Sequence, residues 1–263
     1  MTIRLSTGLR NHILSGGSWR SAFNGGKLEI YTGAQPASAD TAPSGTKILT
    51  YTASSGAHTE EVKPTGTAVL AGVAGTVTNL KIDGEDLMNG TATFVDTLTN
   101  LAIAVRDIIN RNPRNLRFVA SASSATVTIT GRPGIGANLN AIGVLVTTGA
   151  GGITSTDTDV GNVVAGVTPL NGLQFESASA GSIVKLASQT WSGVAASTNT
   201  AGWFRLKGPV NDADGTDSSE AVLRLDGSVT AAGGGGDLAL ASVSLIISTT
   251  YSITTFTPTE PAA

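Results

Sequence analysis

One helical stripe stands alone in a chain that otherwise reads as strands and turns. Leu98, Leu101, Val105, Ile108 and Ile109 recur at i, i+3, i+7, i+10 and i+11. That spacing puts them on one face of a helix over 97–111, and Pro113, which has no N–H for the helical ladder, stops it. A shorter helix opens the chain. Ser6 can cap it, Leu9, Ile13 and Leu14 share a face, and Gly16-Gly17 end it. Elsewhere short runs rich in Thr, Val and Ser alternate apolar with polar residues, the period of half-buried strands. These runs cover 27–32, 47–52, 76–83, 116–120, 126–130, 141–148, 182–188, 203–206, 221–225, 238–247 and 251–256. Gly, Asp and Asn turns punctuate them at Gly25-Gly26, 33–45, 211–217, Asp226-Gly227 and 233–236.

The order of these elements predicts the organisation. Between residues 59 and 170 it runs strand, helix, strand, strand, loop, strand, a compact α+β module. On either side the chain is all strand and turn apart from its first helix, which argues for a β-sandwich or jelly roll. The predicted fold is therefore mainly β. Residues 1–58 and 171–263 form one discontinuous β-sandwich or jelly-roll-like assembly domain, and 59–170 form an inserted α+β module. Insertions are accepted at exposed loop tips whose ends lie close, and Ser54-Ser-Gly-Ala-His-Thr-Glu-Glu61 has that character. Two sequential domains divided near 170 are the rival, which leaves the N-terminal strands unpaired with the C-terminal ones.

Composition excludes several chemistries. Charged residues make up 13% of the chain, against roughly 25% in an average soluble domain. There is no cysteine, so neither a disulfide framework nor a thiolate site can form. A net charge of −3 offers no basic field for nucleic acid or an anionic membrane. No apolar run approaches the roughly 18 residues of a membrane span. The first residues carry no secretory apolar core, and the expectation is a chain made in a cytoplasm and soluble there.

The catalytic signatures fail. Only His12 and His58 could serve as an imidazole base, the first in the opening helix and the second in a Ser-rich stretch. There is no nucleophile elbow, zinc motif or phosphate loop. Asp83, Glu85 and Asp86 follow a strand and read as a polar turn, with a glycosidase pair as the enzymatic alternative. Asp212, Asp214 and Asp217 space oxygen ligands along a tight loop, which makes them a calcium candidate, although Asn, Asp and Gly are also ordinary turn residues. Trp19, Trp191 and Trp203 are scattered, and core packing explains them better than a sugar platform does. No cofactor and no resident metal are expected.

Two blocks carry a family resemblance. The first is Leu5-Ser-Thr-Gly-Leu-Arg-Asn-His-Ile-Leu14 with Leu28-Glu-Ile-Tyr-Thr-Gly-Ala-Gln-Pro-Ala-Ser-Ala-Asp40. The second is Trp191-Ser-Gly-Val-Ala-Ala196 with Ala201-Gly-Trp-Phe-Arg205, Arg224-Leu-Asp-Gly227 and Asp237-Leu238. Together they resemble a family of small virion structural proteins of tailed bacteriophages. The insert resembles, more loosely, a small domain of phage tail and fibre proteins. The resemblance implies a non-enzymatic virion component, a capsid decoration (cement) or tail protein, assembling through repeated contacts with its own copies and with major capsid or tail proteins. The alternative is a host-recognition module that binds a surface glycan. Within the outer domain, Arg4 and Leu9 at the start, and Trp203, Phe204 and Arg205 in one strand, are the expected contact residues.

Overall fold

Strand accounts for 38% of the chain and helix for 12%, in several antiparallel sheets, so the protein is mainly β and consistent with a β-sandwich. The computed structural model describes residues 3–219 and 221–258. The chain divides into two units, Met1–Glu61 with Pro169–Ala263, and Val62–Thr168. The insert so defined begins three residues after the expected 59 and ends two before the expected 170.

In the discontinuous unit the two ends of the chain share one sheet. Its strand order is Arg4–Leu5, Arg224–Ala231, Trp203–Lys207, Lys27–Tyr31, Lys47–Ala53, Trp191–Val194 and Thr250–Ile253, with Leu238–Leu240 parallel to Arg224–Ala231. Lys27–Tyr31 lies between a C-terminal strand and an N-terminal one, an arrangement that two sequential domains would not produce. Register then sorts the side chains. Leu206 sits opposite Leu28 and Leu225, and Phe204 opposite Ile30. These residues face a core completed by Trp191, Phe175, Phe256, Phe23 and Leu173. Alternate positions face the other way, because successive strand side chains point to opposite sides.

The opening helix, α1, spans Thr7–Leu14. Ser6 Oγ accepts from Leu9 N at 3.1 Å, which satisfies one orphan N–H of the first turn. Leu9 is buried, but Leu14 is 85% exposed, so the expected apolar face ends at Ile13. A second helix, α2 (Trp19–Phe23), is too short to show a period in sequence; Ser18 and Ser21 close it with a reciprocal capping box.

The inserted unit holds two sheets and the long helix. One sheet orders Val144–Thr148, Thr76–Ile82 and Glu85–Asp86, with Ala92–Thr93 also on Thr76–Ile82. The other orders Thr154–Thr158, Thr65–Ala71, Thr126–Gly131 and Phe118–Ser123. The helix, α3, spans Leu98–Arg111, capped by Thr97 Oγ1, which accepts from Asn100 N at 3.2 Å. It buries Leu101, Ala102, Val105 and Ile109 with Phe118, Val127 and Ile129, while Leu98 and Ile108 pack at the margin.

Several expected strands are displaced. Residues 182–188 form no strand and make only isolated bridges, Ser179 to Ser182 and Phe175 to Lys185. The expected 221–225 strand is Arg224–Ala231, and 238–247 breaks into Leu238–Leu240 and Ser244–Leu245. Thr65–Ala71, Thr154–Thr158 and Trp191–Val194 are strands that periodicity does not single out.

Candidate functional site

The second face of the large sheet carries charge, and it is covered. Arg205 lies between Glu29 and Asp226, Lys207 between Lys27 and Arg224, and Trp203 between Tyr31 and Ser228. The Arg205 guanidinium forks onto Asp226, Nε to Oδ1 at 2.7 Å and Nη2 to Oδ2 at 2.8 Å, with both side chains fully buried. Lys207 Nζ meets Glu29 Oε2 at 2.8 Å and also reaches Asp214, and Lys47 Nζ meets Glu29 Oε1 at 3.0 Å. Tyr31 donates its hydroxyl to Glu29 at 2.7 Å and stacks on Trp203 with ring centroids 4.5 Å apart.

Two loops close over this face, and its cations hold them. Arg224 donates to the carbonyls of Ala39, Asp40 and Thr41 at 3.2–3.4 Å and to that of Gly215 at 2.9 Å. Arg205 donates to the Thr41 carbonyl at 3.1 Å, Trp203 Nε1 to that of Ser44 at 3.2 Å, and Arg4 to that of Pro36. A guanidinium offers five donors in a rigid fork, so one side chain can tie a carboxylate and several loop carbonyls at once. The helix end joins in, since Thr7 N and Oγ1 donate to the Asp40 carboxylate at 2.7 and 2.8 Å.

The protonation states follow from this packing. Burial alone would raise the Glu29 pKa, but Lys207 and Lys47 outweigh it and bring it from 4.5 down to about 2. Burial likewise opposes ionisation of Asp212, and its hydrogen bonds from Arg224 and the charge of Lys207 leave it lowered. For Asp226 burial wins over Arg205 and the value is raised. Burial and the Glu29 charge push Tyr31 upward. A general acid near neutrality would need an accessible carboxyl with a raised pKa. Glu29 moves in the opposite direction, and Asp226 is sealed beneath its own arginine.

Against this geometry the expected contact residues are corrected. Leu9, Phe204, Trp203 and Arg205 have no exposed surface, because Leu9 packs from α1 into the core and both faces of the sheet that holds the other three are covered by the unit's own chain. Arg4 is half-buried and spends its guanidinium on the 35–36 turn. The calcium candidate is also corrected. Asp212 is taken by Arg224 Nε at 2.6 Å and Asp214 by Lys207, while Asp217 accepts from Ser219 N at 2.7 Å. Among the described residues no cluster of three or more acidic or histidine side chains could hold a metal. Asp212 and Asp214 are counter-ions for buried cations, and Asp217 closes a turn on Ser219.

The other candidates are similarly occupied. Trp19, Trp191 and Trp203 are all buried, so they present no sugar platform. Arg117 sits 3.4 Å from both Asp83 and Glu85, which belong to a hairpin turn. His58 Nε2 donates to the Gly25 carbonyl at 2.9 Å, and burial lowers its pKa. His12 lies 2.9 Å from Ser21, the distance of a nucleophile–base pair, but Ser21 Oγ is already engaged with Ser18 in the cap of α2. A recess of about 200 Å³ lined by Trp19, Ile183, Ala178 and Pro258 carries no charged group.

What sequence reasoning misses entirely is the contrast between sheet edges. In the inserted unit the edge strand Phe118–Ser123 is plugged by side chains. Asn110 donates Nδ2 to the Ala120 carbonyl and accepts from Ala120 N, both at 2.8 Å. Phe118 N donates to Asn115 Oδ1, and the Phe118 carbonyl accepts from Arg132 Nε. On another strand Asp157 accepts from Val146 N at 3.0 Å. The edge strand Thr250–Ile253 of the discontinuous unit has no such plug among the described residues. No family model, curated protein or solved structure matches the chain.

Proposed function

We propose that this chain is a non-enzymatic structural component of a tailed-phage virion, a capsid decoration or tail protein that works by repeated contact with its own copies and with neighbouring virion proteins. The observation that carries the reading, beside the resemblance in its two terminal blocks, is where the charge goes. Among the described residues, the buried acids and bases of the discontinuous unit are used on one another and on its loops, and an outer strand edge without a charged residue is left for docking. Catalysis needs ionisable groups open to a substrate. Assembly needs surface with little charge to desolvate. The glycan-binding alternative loses the residues on which it rested, since the tryptophans are buried, Asp212 and Asp214 are neutralised by Arg224 and Lys207, and Asp217 is turned onto Ser219 N.

The test is composition and position in the particle. Tailed-phage particles from the bacterium that encodes the chain are purified, their proteins identified by mass spectrometry, and a low-resolution density map computed. The expected result is a stoichiometric chain with density on the head surface or the tail. Particles that lack it, or a purified chain that turns over a polysaccharide, overturn the reading.

A further inference from the structure

We infer that Thr250–Ile253 is a docking edge at which a second copy of this chain adds its own Thr250–Ile253 strand, antiparallel, about a two-fold axis. The inference names the contact of the assembly proposed above and rests on that reading for its setting.

The register shows which main-chain groups are free. Among the described residues Thr250–Ile253 pairs only with Trp191–Val194, matching Gly193 to Tyr251 and Trp191 to Ile253. Ala195 N donates to the Thr249 carbonyl at 3.0 Å, while Ser54 N donates to Thr190 O and Ala196 N to Ile48 O. Odd positions of the inner strand therefore bond the edge strand, and even positions bond Lys47–Ala53. Antiparallel pairs alternate between bonded and non-bonded partners. Tyr251 and Ile253 thus point their main-chain groups inward, and Thr250 and Ser252 point theirs outward, where no described residue meets them. Past this segment the edge is covered again, because the carbonyls of Phe256 and Pro258 accept from Lys185 N and Ile183 N.

A second copy fits this gap by its own geometry. The outward positions are two apart and centred on Tyr251, so a two-fold axis through that residue sets Thr250 against Ser252 of the other copy, and the reverse. Each pair can then exchange both of its main-chain hydrogen bonds, which closes an isologous contact. Charge does not oppose the approach, since residues 238–258 and 186–204 contain no charged side chain. Val194, Ile246 and Ile247 stand 51%, 59% and 53% exposed around the strand and supply apolar area. Edge strands that must stay single usually carry lysine, proline, a bulge or a plug. The inserted unit uses plugs, and among the described residues this edge has neither a plug nor a charge.

Sedimentation equilibrium of the full chain provides the test. Wild type is expected to show a reversible monomer–dimer equilibrium. Ser252→Pro removes an outward N–H without touching the inward ladder, and it is expected to raise the dissociation constant at least tenfold with an unchanged circular dichroism spectrum. Thr250→Lys serves if the proline variant does not fold. Leu14→Lys, on an exposed position remote in sequence, is expected to leave the constant unchanged. A wild-type chain that stays monomeric up to about 1 mM, or a dimer indifferent to both edge variants, overturns the inference. The two readings fail separately. A chain that pairs through this edge but is absent from particles removes only the virion reading, and a particle component whose self-association ignores Ser252→Pro removes only the edge.

Discussion

The two units handle charge and sheet edges in opposite ways. In the discontinuous unit, Arg205–Asp226 and Lys207–Glu29 are pairs with at most 1% side-chain exposure. In the inserted unit, Arg106–Asp107 and Arg117–Asp83 stand between 33% and 50% exposed. The first unit turns its charges inward to fasten loops and leaves a strand edge bare. The second keeps its ion pairs at the surface and closes strand edges with the side chains of Asn110, Asn115, Arg132 and Asp157. The comparison teaches that ion pairs do different jobs according to their burial. A buried pair is costly to assemble and still more costly to halve, whereas an exposed pair adds little.

The largest expected effect is therefore Asp226→Ala. It strands the Arg205 guanidinium where it has no solvent exposure, and a halved buried pair typically costs about 3–5 kcal/mol. Denaturant unfolding followed by the buried tryptophans reads it. Replacing both partners, Arg205→Leu with Asp226→Leu, is expected to recover most of the loss. Arg224 still holds the carbonyls of Ala39, Asp40 and Thr41 in that variant. If Asp226→Ala costs under 1 kcal/mol, the pair does not fasten the fold.

Next comes acid sensitivity. The Glu29 pKa is lowered from 4.5 to about 2, so its contribution is complete above 4.5 and is lost as pH falls from 4.5 towards 2. A shift of that size corresponds to about 3 kcal/mol across the window. Asp226 works with the opposite sign. Its pKa is raised, so protonation at low pH relieves the burial of its charge. The expected outcome is a fall in stability of the discontinuous unit between pH 4.5 and 2, measured as denaturant midpoints. In Glu29→Gln that limb is flattened on an already lowered baseline. An unchanged slope in the variant would assign the acid limb to other groups.

How much of this is legible in sequence depends on how much signal each residue carries. Helix α3 is, because five large apolar residues repeat at its period and Pro113 stops it. Thr65–Ala71 is not. Its inward positions include Gly66 and Ala68, which carry almost no hydrophobic contrast. Thr154–Thr158 has no large apolar residue at all. Trp203–Lys207 is legible as a strand, but its second face is not. The alternation of Trp, Arg and Lys with Phe and Leu reads as a polar side facing solvent, and only the folded 33–45 and 211–217 loops turn that side into an interior. The Asp212 and Asp214 loop misleads for the same reason, since its counter-ions, Arg224 and Lys207, come from other strands. Edge plugs leave no local trace, because Asn110 meets Ala120 only once α3 lies on its sheet.

Those plugs give the third prediction. Asn110→Ala deprives Ala120, which is buried, of partners for both its N–H and its carbonyl. The expected cost is about 1–3 kcal/mol for unsatisfied main-chain groups, with a new tendency to self-associate through Phe118–Ser123. Asn110→Asp keeps the acceptor for Ala120 N and loses the donor, so it should fall between alanine and wild type. Sedimentation of Asn110→Ala in the Ser252→Pro background separates the two edges. If opening this edge produces no association, an unplugged strand is not enough for docking, and the apolar residues around Thr250–Ile253 become the deciding feature.

The smallest effect belongs to Asp107→Ala. Its carboxylate meets Arg106 at 2.6 Å and Arg111 at 3.5 Å, with exposures of 35%, 33% and 78% for the three side chains. Long, solvated side chains lose freedom when they pair, and salt screens what they gain, so the loss should stay below about 0.5 kcal/mol. Alanine also keeps part of the arrangement, because Arg111 Nε donates to the main-chain carbonyl of residue 107 at 3.0 Å. At about 1 M salt, where the screening length shrinks to roughly 3 Å, even this loss should vanish, while the cost of Asp226→Ala should persist because no ions reach that pair. A salt-resistant loss above 1 kcal/mol at Asp107 would mean that the inserted unit also fastens its fold with ion pairs, and the distinction between the two units would fail.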